Sequence, residues 1–167
     1  PPVFPVELAA LPGQVVCHDV EDTSFRIGGF DVMSRLVPHV GPTCGYRATW
    51  RGRSVTYLSD HQQPVDGSFT ASDGALELCR GVDVLIHDAQ YTAAEFARKA
   101  TWGHSMIEYA VWLAATAEVE TLVLFHHDPT HDDEMLDMLT ASAAACGRAE
   151  GVEVVAAHER MVITLDP

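Results

Sequence analysis

Leu85-Ile86-His87-Asp88-Ala89, Trp102-Gly103-His104-Ser105 and Leu122-Val123-Leu124-Phe125-His126 decide the fold of this 167-residue chain. The first and third are short apolar runs rich in β-branched residues that stop abruptly at His or Asp, which is how a buried strand reads when it ends at a polar loop. The run Val55 to Leu58 before Asp60 has the same form, as does Val82 to Ile86 before His87 and Asp88. Between them, Ser105-Met106-Ile107-Glu108 reads as a capping box, with Met106, Tyr109, Ala110, Leu113, Ala114 and Ala117 following at helical spacing. Thr92 to Glu95 and Thr130 to Asp133 open two more predicted helices, the second running through Met135, Met138 and Leu139 and ending at Gly147.

Outward from this core, Val152 to Ala156 and Met161 to Leu165 read as closing strands. Val15 to Val20, Phe25 to Ile27 and Val32 to Val37 form an earlier β-rich stretch with Gly28-Gly29 as a turn. Strands that alternate with helices predict an α/β architecture, sheet inside and helices outside. No internal repeat or low-complexity segment interrupts the chain.

Composition narrows the function. Twenty-four acidic against ten basic residues give a formal charge of −14, a field that repels a phosphate backbone, so a long nucleic acid is an unfavoured partner. A small anionic substrate is not excluded, since a metal ion in a cleft dominates its local charge. No apolar run approaches the roughly 18 to 20 residues of a membrane span and no signal peptide is evident, so the expected location is cytoplasmic. Cys17, Cys44, Cys79 and Cys146 form no Cys-x-x-Cys pair and are expected to be reduced, mostly buried thiols.

Ligands in α/β proteins gather where strands end, because loops there are open to solvent yet held by a rigid sheet. Four such ends carry His39, Asp60, His87-Asp88 and His126, with His104 at a helix start. Spaced tens of residues apart, they converge only through folding, as the His and carboxylate ligands of catalytic metals do. The competing reading makes His39 and His104 satisfied core or cap histidines and Asp60 and Asp88 turn caps. His127, Asp128 and His131 read as a surface loop after Pro129 breaks the chain. His18, His61 and His158 read as solvated loop histidines, and His87 as pointing into the core.

Taken in order, Val37-Pro38-His39 followed by Gly45-Tyr46-Arg47, Tyr57-Leu58-Ser59-Asp60, Leu85-Ile86-His87-Asp88-Ala89, Trp102-Gly103-His104-Ser105 and Leu122 to His126 resemble the metallo-β-lactamase superfamily, and within it the ribonuclease Z-like phosphodiesterase branch. The resemblance runs from about Arg26 to the end. It implies a metal-dependent hydrolase of small phosphodiesters that uses a metal-bound hydroxide, with two divalent ions, zinc foremost and manganese or iron as alternatives. It also implies His39 and His126 as metal ligands, Asp60 as the carboxylate bridging both metals, and His104 paired with Asp88 as the catalytic acid or hydrogen-bond donor. Carboxylic esters, lactones or thioesters on the same fold are the alternative substrates, and a catalytically incomplete binding or structural half-module is the alternative to an enzyme.

The superfamily's His-x-His-x-Asp-His motif is absent from these residues. With the Pro1-Pro2-Val3-Phe4-Pro5 opening, which lacks an initiator Met, this leads to the expectation that residues 1–167 are the C-terminal portion of one four-layer αββα domain. The N-terminal half is then expected elsewhere, as a missing segment or a partner chain. Such a half carries an exposed inner sheet face, so alone it is expected to associate, for instance as a homo-oligomer, or to be unstable.

Overall fold

The computed structural model describes residues 10, 12, 13 and 15–166; the opening prolines lie outside the described residues. Seven strands form one sheet in sequential order: β1 (Ser24–Ile27), β2 (Phe30–Val37), β3 (Thr43–Trp50), β4 (Arg53–Leu58), β5 (Val84–Asp88), β6 (Thr121–Phe125) and β7 (Glu153–Ala156). The first four pair antiparallel and β4 to β7 pair parallel. The change follows from the connections. Gly28-Gly29 closes β1 on β2 with a two-residue turn in which Ile27 faces Phe30, Gly28 at φ +56°. The parallel strands are joined through helices α1 (Asp73–Cys79), α2 (Ala93–Lys99), α3 (Ile107–Thr116) and α4 (Asp133–Ala149).

Because β2 is antiparallel to β3 and β3 to β4, β2 runs the same way as β4, β5 and β6. Their C-terminal ends therefore share one edge of the sheet. Side-chain alternation assigns the two faces. Leu58, Leu85, Leu122, Leu124 and Val154 are buried with Leu78, Tyr109 and Leu113 of the helices. Val55, Tyr57, Ile86, Val123 and Phe125 alternate with them on the opposite face, where Tyr57 is 41% exposed and, among the described residues, the tail around Met161, Ile163 and Leu165 lies alongside.

Several expectations are corrected. Val15 to Val20 is not a strand: residues 15–19 are exposed and Val20 is half-buried, while the outer edge of β2 is taken by β1. Met161 to Leu165 adds no strand; that tail is held where the Arg53 guanidinium donates to the Asp166 carbonyl. The capping box at Thr92 forms as expected, with Glu95 returning to the Thr92 amide. The one at Ser105 does not: α3 starts at Ile107, and its first amides are met instead by Gln63 Oε1 on Met106 N–H (2.7 Å) and the Tyr91 carbonyl on Ile107 N–H (3.0 Å). Asp132, not Thr130, caps α4. Gly147 does not end that helix but lies inside it, where an added Cβ would meet the Val154 side chain and lie 2.8 Å from the Val152 carbonyl oxygen, so the glycine lets the helix approach β7. Of the free cysteines only Cys79 is buried; Cys17 and Cys146 are exposed. No helix among the described residues is long and apolar enough to cross a membrane.

Candidate metal centre

Four of the five candidate side chains leave the shared sheet edge. His39 follows β2, Asp60 follows β4, Asp88 closes β5 and His126 follows β6 at φ +57°, a left-handed conformation that costs a non-glycine residue roughly 1 kcal/mol or more. His104 comes from the segment between α2 and α3. The fold brings one donor atom each from Asp60, His104 and His126 within 4.8 Å of one another. His126 Nε2 lies 3.4 Å from Asp60 Oδ1, and the His104 and His126 rings are 4.5 Å apart. The His39 ring, 5.5 Å from that of His104, borders this group without being one of its three members.

Hydrogen bonds fix which ring nitrogens face the cluster. His39 Nδ1 lies 2.7 Å from the Gly103 carbonyl; an oxygen there only accepts, so Nδ1 carries the proton and Nε2 keeps a lone pair. Gly103 permits the approach, since at φ +100° its Cα faces the His39 ring where a Cβ would collide. His104 Nδ1 donates to Asp88 Oδ2 at 2.6 Å, again leaving Nε2 free. That bond, foremost, raises the His104 pKa; burial opposes it, and the Asp88 and Asp60 charges add to it. Asp88 is fully buried and accepts three more protons: from the His61 amide on Oδ2 (3.2 Å) and from the Gln90 (3.2 Å) and Ser105 (3.3 Å) amides on Oδ1. Ser105 thus ties loops together, its hydroxyl donating to the His61 carbonyl.

Gln90, which sequence reasoning missed, places its carboxamide 3.1 Å from His126 Nδ1. Whether its oxygen or its nitrogen faces the ring decides whether His126 Nε2 is a lone pair or a donor toward Asp60, so one side chain serves either tautomer. Its place two residues beyond Asp88 at a strand end was the available signal.

A divalent ion suits this donor set. Neutral imidazole nitrogens and a carboxylate are the ligands of zinc and its neighbours, and each histidine has its other nitrogen bonded to a carbonyl, carboxylate or carboxamide, as metal-ligating histidines do. Four donors would still leave two ions short of ligands. The remaining histidines behave differently. His18 and His158 are exposed as expected. His61 is not a solvated loop residue but fully buried, like the core-facing His87. The expected surface loop is also partly interior: the His131 side chain is buried on Glu95 (2.8 Å), and Asp128 is buried on Lys99 (2.7 Å).

A mixed sheet with helices on one face and His and Asp gathered at one edge makes this an α/β fold with a candidate metal centre. Residues 4–127 match the beta-lactamase superfamily domain, and the chain belongs to that family, the metallo-β-lactamase superfamily. Within it the chain sides with the ribonuclease Z-like branch. It is 28% identical to ribonuclease Z of Synechococcus sp. (strain WH7803), over 77% of this chain and 50% of that protein. It superposes on human short-form tRNase Z at TM-score 0.63 with 25% identity, covering 87% of this chain and 48% of that one. Bacillus subtilis YhfI, a metallo-β-lactamase fold protein, aligns at TM-score 0.67 and 19% identity, covering 85% and 52%, a likeness of fold. The chain therefore spans about half the length of these relatives.

Proposed function

We propose that this chain supplies Asp60, His126 and His39 to a divalent-metal centre, with His104 and Asp88 as its acid–base pair, in a hydrolase of small phosphodiesters. The observation that carries the proposal is the convergence of Asp60, His104 and His126 within 4.8 Å at the sheet edge. Bound ions, zinc foremost and manganese or iron as alternatives, supply Lewis acidity and an activated water. Asp60, its Oδ2 bonded by the Ser59 hydroxyl at 2.7 Å, is the only carboxylate of the three and would supply the anionic ligand beside the imidazoles. His104 Nε2 points into the group with its pKa raised, so it can hold a proton for the departing oxygen or donate to a developing phosphorane charge. Asp88 fixes the ring and its tautomer. The net charge of −14 argues for a small ester rather than a long nucleic acid.

The remaining ligands belong, in this proposal, to a second half of the same sandwich, on a further segment or a partner chain. It would cover the apolar row of Tyr57, Ile86 and Phe125, a row that could otherwise pair two copies of this chain. The test is hydrolysis by the assembled protein, loaded with zinc or manganese, of bis(p-nitrophenyl) phosphate and cyclic nucleotides beside p-nitrophenyl acetate, a lactone and a thioester. Phosphodiester cleavage that falls about 10²- to 10⁴-fold in His104→Ala is expected. A preference for the carboxylic substrates would overturn the substrate assignment, and metal binding without any hydrolysis would favour a binding module.

A further inference from the structure

His61 and His87 are fully buried beneath the metal centre, and no step proposed above uses them. Their proton order follows from one bond. His87 Nδ1 contacts the backbone carbonyl of Asp88, which has no proton to give, so Nδ1 carries it. Burial lowers the His87 pKa, the Asp88 charge notwithstanding, which leaves Nε2 bare. His61 Nδ1, 2.8 Å from that nitrogen, must then bring the proton. His61 Nε2 is left as a lone pair with no protein partner among the described residues.

The ring is thus locked, and it locks a turn to which Asp60, Asp88, His104 and the segment before His39 are tied. Asp60 immediately precedes His61 in the chain. The His61 amide donates to the Asp88 oxygen that receives His104, and its carbonyl accepts from Ser105, the neighbour of His104. The Gln62 amide donates to the Pro38 carbonyl at 2.7 Å, beside His39, and Gln63 holds the Met106 amide at 2.7 Å. Turn 60–63 is a hub.

We propose that the His61–His87 pair, ordered Asp88 C=O to Nδ1–H of His87 and Nε2 of His87 to Nδ1–H of His61, is the positioning element that holds this hub and through it Asp88, His104 and Asp60. The significance of the element rests on the metal-centre reading; its geometry does not.

The test is ring-nitrogen NMR of the metal-free protein, followed by zinc titration of wild type, His87→Leu and His87→Gln. Both His61 and His87 are expected as Nδ1–H tautomers, with a low-field Nδ1–H on His104. His87→Leu keeps the core apolar but deletes the acceptor for His61; it should move the His104 Nδ1–H upfield and weaken zinc binding about tenfold. His87→Gln, with one donor and one acceptor, should restore both readouts in part, which a merely space-filling role would not predict. An Nε2–H tautomer on either residue in wild type overturns the proposal even if a variant fails to fold. So does a His87→Leu protein whose His104 signal and zinc affinity stay within twofold of wild type. A protein with the expected spectra and zinc response that cleaves no phosphodiester would remove the functional reading and leave this one standing.

Discussion

Replacing Asp88 with Asn brings two protons to a point where four donors already converge. The carboxylate accepts the Gln90 and Ser105 amides on Oδ1, and the His61 amide and His104 Nδ1 on Oδ2. An Asn in the same rotamer has two settings. With its oxygen toward Gln90 and Ser105, one backbone amide, that of His61, faces an NH2 and goes unpaired, at about 1–3 kcal/mol for a buried donor. With its oxygen toward His61 and His104, two amides go unpaired at roughly twice that, so the first setting wins. The Asn NH2 then faces His104 Nδ1, and the imidazole can meet it only by moving its proton to Nε2. Adding about 1 kcal/mol for exchanging a charge-assisted bond for a neutral one, the variant should be destabilised by about 2–4 kcal/mol. At a urea slope of about 2 kcal/mol/M, the midpoint falls about 1–2 M with the slope unchanged. Ring-nitrogen NMR should report His104 as the Nε2–H tautomer, and hydrolysis by the assembled protein should fall about 10²-fold or more. An unfolding midpoint within about 0.2 M of wild type, with His104 still protonated on Nδ1, would refute the reasoning outright.

Other outcomes test separate parts of the structure. Burial would by itself raise the Asp128 carboxyl, but Lys99 and the Thr130 hydroxyl and amide outweigh it and hold the group far below the usual carboxylate range. A depressed folded-state pKa contributes stability above the unfolded value, about pH 4, and loses it as pH falls. Asp128→Asn should therefore cost about 2 kcal/mol at pH 7 in urea melts, and the gap from wild type should narrow steadily below about pH 4. At His126, held at φ +57°, Ala should be less stable than Gly by about 1 kcal/mol while both lose metal, measured by calorimetric unfolding and zinc titration. Equal stability of the two would mean that the left-handed conformation relaxes. Gly103→Ala must either strain a backbone at φ +100° or push the His39 ring off the Gly103 carbonyl; a loss of about 2–3 kcal/mol with weaker zinc binding is expected, and unchanged melting and affinity would contradict the contact.

The parts legible in the sequence are those where one residue's neighbours along the chain dictate its fate. Strands β5 and β6 announced themselves as apolar runs ending in His or Asp, and Thr92 to Glu95 formed the capping box that its spacing predicted. Where the outcome depends on what lies across space, local patterns misled. Ser105-Met106-Ile107-Glu108 carries the spacing of a capping box, yet Ser105 gives its protons to Asp88 and the His61 carbonyl, because the buried helix start already has its Met106 and Ile107 amides met by Gln63 and the Tyr91 carbonyl. Strand β3 (Thr43–Trp50) escaped notice because Gly45 sits in its middle; glycine weakens a strand in isolation but here admits the Leu58 and Leu78 side chains, where a Cβ would collide.

The same distinction applies to the candidate site. His39, Asp60, Asp88, His104 and His126 could be singled out because metal and proton chemistry restricts residue type and strand ends restrict position. The residues that aim them carry no such signature. Gln90, His61 and Gln63 are ordinary polar residues in sequence, and only the burial of His61 and the convergence of turn 60–63 on Pro38, Asp88 and Met106 give them a role. Burying two histidines beside a carboxylate costs desolvation that an apolar pair would avoid, so their presence is accounted for by what they orient rather than by the stability they add.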